Sequence, residues 1–214
     1  MQSHLFDHPS NASMQAARGM LPPVDGITEV WWDSLDDFQA AYATSEGGVA
    51  GAALAEDEAK FIDFGRSCVF LAEEHPIFDH TDGAGLGQEA LKVTYLLARR
   101  SDLSQRACHA TWLEDHGPLV ASFAEPLRMA KYVQSHAIAP EMNAGFQASR
   151  NYEAALDGIT EVWVNSLADL EASGATEAGR RGGAALVEDE RRFVQMDASR
   201  CFLTREHLIF DHTR

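Results

Sequence analysis

The run Asp157-Gly158-Ile159-Thr160-Glu161-Val162-Trp163 sets a carboxylate two residues before an indole, with the alternation of a β-strand. At a period of two, Ile159, Glu161 and Trp163 share one face, and Thr160, Val162 and Val164 share the other. The aliphatic set suits a helix layer, which leaves Glu161 and Trp163 on the open face. A carboxylate in a partly dry site beside an indole has a raised pKa. That is how a carboxyl group becomes a general acid or base near neutral pH. The alternative for Glu161 is an ion pair with an Arg or Lys at the sheet edge. A second run, Ala130–His136, aligns Tyr132, Gln134 and His136 on one face. As a polar stripe it is read as pointing to the same open face. There His136 would transfer a proton and Tyr132 would polarise a carbonyl oxygen. The alternative is a hydrogen-bonded histidine at a strand end.

His109, Trp112, His116, Leu119 and Phe123 fall at i, i+3, i+7, i+10 and i+14, one side of a helix. The stripe faces a core, or else it holds His116 at a pocket mouth as an acid/base, with Trp112 shaping the pocket. His75-x3-Asp79-His80 and His207-x3-Asp211-His212 have metal-ligand types. In an extended strand, four residues at about 3.3 Å each separate His from Asp by too much for a zinc site, so no metal is expected. The acidic run Glu188–Glu190 reads as a solvated helix face. GxGxxG, P-loop, HExxH and GxSxG motifs are absent, so no cofactor is expected.

These residues need a scaffold. Lys92–Ala98, Ala130–His136, Ile159–Val164 and Cys201–Glu206 read as strands. Ser104 can N-cap a helix through about Phe123, with a break or kink expected at Gly117-Pro118. A polar loop is expected after His136, through about Leu156. Ser166-x-x-Asp169 starts a Gly/Ala-rich helical stretch to about Phe193. The order β-α-β-β-α-β is an α+β ferredoxin-like plait.

Much of this unit occurs twice. Gln2-Ser3-His4 returns as Gln134-Ser135-His136, and Asp25–Trp31 returns as Asp157–Trp163. Gly51–Leu54 returns as Gly183–Leu186, and Ile77–Thr81 as Ile209–Thr213. The offset is 135 − 3 = 132 at the start and 213 − 81 = 132 at the end, without a gap. The expected domains are therefore a repeat over 1–81 without its first strand and helix, a Gly-rich linker over 82–90, and a complete repeat over 91–214. Glu29, Trp31 and His4 are the first-repeat counterparts of Glu161, Trp163 and His136. Met1 aligns with Val133, in mid-strand, so the expectation is an opening strand and helix encoded ahead of it. Strand donation by another copy and altered packing are the alternatives. Two plaits packed face to face would enclose a barrel lumen.

Cys108-x3-Trp112-x3-His116-x-Pro118-Leu119, the Asp157–Trp163 strand, Glu188-Asp189-Glu190-x2-Phe193 and Glu206-His207 together resemble EthD-type domains of the dimeric α/β-barrel superfamily. Cys108 departs from the aromatic usual there, and the first repeat has no Trp-His helix. The resemblance covers nearly all of 91–214 and, without the opening segment, 1–81. It implies tandem ferredoxin-like plaits in a dimeric α/β-barrel-like arrangement, a homodimer, and a role in the degradation of ethers or aromatic compounds. It also implies a small aromatic or polyketide-like molecule in the lumen. This would be held by Tyr132, Trp163, Trp112, Glu29, Trp31 and His4, and acted on by Glu161, His136 and His116. The reaction would be cofactor-independent acid/base chemistry of a lyase, cyclase or isomerase. The alternative is a non-catalytic accessory protein serving a partner oxygenase.

Composition limits the other classes. With 17 Lys+Arg against 33 Asp+Glu, the net charge of −16 argues against a nucleic-acid backbone binder. A hydrophobic fraction of 45% supports a packed core and excludes global disorder. Three distant cysteines read as reduced thiols in a cytoplasmic protein. The first residues lack the basic-then-apolar pattern of a signal peptide, and no apolar run reaches the ~20 residues of a membrane span.

Overall fold

The computed structural model describes residues 1–212. In chain order the elements are β1 (Gln2–Leu5), α1 (Pro9–Arg18), β2 (Gly26–Thr28), α2 (Leu35–Ala43), α3 (Ser45–Glu58) and β3 (Ala72–Asp79). Then come β4 (Leu91–Leu97), α4 (Gln105–Ala110), a π-helical turn (Thr111–His116), α5 (Gly117–Ser122), β5 (Met129–Ala137) and α6 (Pro140–Arg150). The chain finishes with β6 (Gly158–Val164), α7 (Leu167–Ala175), α8 (Glu177–Glu190) and β7 (Arg200–His207). The contacts group into two compact units. The first is Met1–Ile27, Leu71–Ile138 and Leu156–Arg214, and the second is Thr28–Phe70 with Ala139–Ala155.

The first unit carries a mixed α+β fold on a seven-stranded sheet of order β2-β1-β7-β4-β6-β5-β3. Its four middle strands, β7-β4-β6-β5, have the antiparallel 4-1-3-2 order of a ferredoxin-like plait. The expected β-α-β-β-α-β order of 91–214 is present. β1 pairs with β7 and β3 with β5, both antiparallel, so strands from residues 1–81 widen this sheet on both sides. The sheet stays open and is not closed into a barrel.

One face of the sheet carries Val93, Leu97, Tyr132, Val162 and Leu203, packed with Cys108, Trp112, Val120, Leu186 and Phe193 in a single apolar cluster. Burial of this surface, at about 25 cal/mol per Å², is the main force holding the helices to the sheet. Ser104 and Ser166 cap their helices by accepting hydrogen bonds from the backbone N–H of Ala107 and Asp169, as their spacing predicts.

Gly117-Pro118 does not break the helix. The chain widens into the π turn, and the Gly117 N–H reaches back to the Trp112 carbonyl. Proline lacks the N–H that a regular α-helix needs, and its ring crowds the preceding turn. One inserted residue relieves both problems.

The second unit is helical. Phe38 packs between Trp32, Tyr42 and Phe146, with ring centroids 5.0–6.1 Å apart. Arg150 pairs with Glu58, and Phe64 meets Tyr152 edge-on. The expected loop after His136 contains α6. Ala139 precedes it in a left-handed conformation and makes no side-chain cap, so the usual start signal is missing. Pro140 at the first turn and left-handed Asn151 at the end define the helix instead.

Candidate functional site

Register decides which face each candidate occupies. Tyr132 lies opposite Val162, Gln134 opposite Thr160, and His136 opposite Gly158. Residues directly opposite in a ladder point the same way. Tyr132, Gln134 and His136 therefore lie under the helices, and their expected place on the open face is corrected. Glu161 and Trp163 do face the other way, alongside Thr94 and Lys92. The sheet separates Glu161 from His136, so the two do not form one site.

Glu161 is ion-paired. Lys92 Nζ bonds Glu161 Oε1 and lies 3.1 Å from Glu206 Oε1. Trp163 Nε1 donates to Glu206 Oε2 at 2.9 Å. Lys92 and Glu161 are both fully buried. The ammonium sits between the two carboxylates, where a cation would have to sit. This is the ion-pair alternative for Glu161, although the partner comes from a central strand rather than an edge.

Beneath the helices, Gln134 uses both amide hydrogens and its carbonyl oxygen. Its Nε2 donates to the Trp112 carbonyl at 3.0 Å and to Tyr132 Oη at 2.6 Å, and its Oε1 lies 2.9 Å from His136 Nε2. His136 stacks on Trp112 with ring centroids 4.4 Å apart, and His109 and His75 approach it at 4.5 and 4.6 Å. Burial, with smaller effects from His109 and His75, pushes the His136 imidazole down to about 3. His136 is therefore neutral at physiological pH and lies within a packed aromatic stack. Trp112 reaches so close to the sheet that a Cβ on Gly158 would meet its ring at 2.8 Å and the Ser135 carbonyl at 2.2 Å.

A cavity of about 40 Å³ lies between sheet and helices. Its wall includes Trp112, His116, Tyr132, Thr160, Tyr95 and Glu190 among apolar side chains. His116 is buried, and its Nδ1 is 2.9 Å from Asp189 Oδ2. Burial works against ionisation of Asp189, yet hydrogen bonds from Arg192 and His116 hold its carboxyl below the usual range. On another part of the wall, Arg18 grips both oxygens of buried Glu190 at 2.8 and 3.0 Å and donates to Tyr95 Oη at 2.8 Å. Burial raises the Tyr132 phenol well above its ordinary value, so it stays protonated. The Trp112 indole N–H is buried beside the Tyr132 phenol, without a well-aligned hydrogen bond.

Three of the expected residues thus meet at one cavity: Trp112, His116 and Tyr132. His4 is exposed on β1, outside the plait's four strands, with its ring 4.5 Å from that of His207. Glu29 and Trp31 belong to the second unit, and Trp31 is exposed. Asp189 and Glu190 were expected on a solvated face, but they turn inward. The signal was available, because Gly182, Leu186 and Glu190 recur at i, i+4 and i+8 on one side of α8. Nothing local marks Lys92, Tyr95 or Arg18, whose partners lie 69 to 172 residues away. The three cysteines form no disulfide, and among the described residues no helix is long and apolar enough to cross a membrane.

A similar solved structure is a dimeric protein of unknown function and ferredoxin-like fold from Bacteroides fragilis NCTC 9343. It is 12% identical, with a TM-score of 0.29, over 54% of this chain and 95% of that one. No curated protein matches the sequence. The model of the EthD domain matches residues 1–65 and 100–197, most of the chain and including the Trp112–His116 helix and its partner α8, so the chain belongs to the EthD domain family.

Proposed function

We propose that the protein binds a small aromatic or polyketide-like carbonyl compound in the cavity between sheet and helices, and that His116 moves a proton on it. The observation that carries this reading is buried His116, held at Nδ1 by Asp189 2.9 Å away, in the wall of a cavity that Trp112 and Tyr132 also line. Tyr132, kept protonated by burial, offers a donor to a ligand oxygen. Asp189 holds Nδ1 of His116, which orients the ring and leaves Nε2 for the substrate. With the oxygen polarised, Nε2 takes a proton from the neighbouring carbon and returns it at another position, an isomerase- or cyclase-type step without a cofactor. At about 40 Å³ the cavity has room for a few water-sized groups as it stands, whereas a cavity that takes benzene measures roughly 150 Å³. Binding therefore moves the helix layer outward, with the π turn as the adaptable element. Function as a homodimer is part of the same proposal.

The test incubates the protein with aromatic acids, β-dicarbonyls and ethers and follows product and retained ligand by mass spectrometry. Product that disappears in His116→Ala but persists in Glu161→Gln supports the enzyme. Retained ligand without conversion favours a carrier serving a partner oxygenase. Neither binding nor product overturns both.

A further inference from the structure

The cavity between sheet and helices has a second polar end, away from the His116–Asp189 bond. Glu190 is 5% exposed and lines that end together with Tyr95 and Ser199. Nε and Nη2 of Arg18, on α1, donate to its two oxygens at 2.8 and 3.0 Å, and Nη2 also donates to Tyr95 Oη at 2.8 Å. The Tyr95 hydroxyl in turn bonds the Cys201 sulfur, whose own S–H faces Met14 Sδ at 3.9 Å. Ser199 Oγ donates to the Gln195 carbonyl at 2.8 Å. The hydroxyls of Tyr95 and Ser199 are therefore already used as donors. The carboxylate is not used up as an acceptor, since an ionised carboxyl group has about four acceptor sites and Arg18 fills two. Clasping two elements together does not call for such a place. Arg150 and Glu58 make the same kind of pair with side chains 27% and 31% exposed, free of the desolvation that the Arg18–Glu190 pair bears.

We propose that Glu190 determines the specificity of this cavity, with Arg18 as its positioning residue, by accepting a hydrogen bond from a hydroxyl group on an uncharged ligand. The inference rests on the reading that the cavity binds a carbonyl compound beside His116 and Tyr132, and it narrows that compound to one bearing a phenolic or alcoholic hydroxyl. Neighbouring positions on a helix point about 100° apart, so the end of α8 gives Asp189 to His116 and Glu190 to the Arg18 side of the wall. The donors at this end are engaged, so the ligand must bring its own. A ligand carboxylate would set a second anion against Glu190 in a place of low dielectric. A ligand ammonium would leave a net buried charge, because Arg18 already balances Glu190.

The test measures, by calorimetry, the binding of acetophenone, 4-hydroxyacetophenone, 4-methylacetophenone and 4-acetylbenzoate. Methyl and hydroxyl are close in size, so the second and third differ mainly in the donor. The hydroxy compound should bind about tenfold or more tighter than the methyl compound, as a hydrogen bond to a charged group allows, and the benzoate should bind weakest. The double variant Arg18→Met with Glu190→Met exchanges the buried pair for apolar chains, a change that folds often tolerate. It should bring the hydroxy-to-methyl ratio to about one. If that variant does not fold, Glu190→Gln replaces it, and there the ratio should fall severalfold. Ketones that bind with no hydroxyl preference, a benzoate that binds tightest, or a preference unchanged in the variant overturn the proposal and leave the cavity reading standing. Failure of all four compounds to bind overturns both.

Discussion

Nδ1 of His116 lies 2.9 Å from Oδ2 of Asp189, a residue 73 positions further along the chain. The bond ties the π turn to the end of α8 and orients an imidazole at the cavity wall. Asp189→Asn should lower any turnover about as strongly as His116→Ala while leaving ligand affinity within a few-fold, measured by kinetics and calorimetry side by side. Asp189 also has a pH signature. Its carboxyl is held below the ordinary range in the folded protein. Its stabilising effect is therefore complete above about pH 4 and is lost as the pH falls through its lowered value. The acid limb of unfolding should be shallower in Asp189→Asn.

His136 predicts a different window. Its imidazole stands at about 3 in the fold, against about 6.5 in an unfolded chain. Between those values the unfolded state binds the extra proton, so stability is full above about pH 6.5 and declines as the pH drops. The loss between pH 7 and pH 5 is about 2 kcal/mol. His136→Phe keeps a ring on Trp112 and removes the titration. Urea midpoints at the two pH values should differ less in that variant than in the parent, and equal slopes would refute the assignment.

Lys92 is the cation between Glu161 and Glu206. Lys92→Met leaves buried Glu161 without its cation beside partly exposed Glu206 and should cost about 3–5 kcal/mol. Adding Glu161→Leu should restore part of that loss. Chemical denaturation of the single and double variants measures both. A neutral Lys92→Met would show that the pair contributes nothing.

Gly158 is needed for close approach. A methyl group there would run into the Ser135 carbonyl and the Trp112 ring. The ring is part of the core and the carbonyl belongs to the paired strand, so neither can yield cheaply. Gly158→Ala should destabilise the protein by about 3 kcal/mol, read as a shift of the urea midpoint with an unchanged slope.

Local periodicity was enough to establish several features by sequence alone. The β-α-β-β-α-β order, the Ser104 and Ser166 caps, and the grouping of Glu161 with Trp163 all follow from side-chain direction and capping chemistry within a few residues. The Trp112–His116 helix could be read in the same way. Tertiary structure alone decided which face lies under the helices. A period of two says that Tyr132, Gln134 and His136 share a side, but the register against Val162, Thr160 and Gly158 says which side. That register depends on strands distant in the chain and on the burial of a whole face. The same holds for Lys92 neutralising Glu161, for Asp189 turning inward to His116, and for the pairing of β1 onto β7 and of β3 onto β5. Each is a contact between residues far apart in sequence, made because a buried charge or a bare strand edge must find a partner.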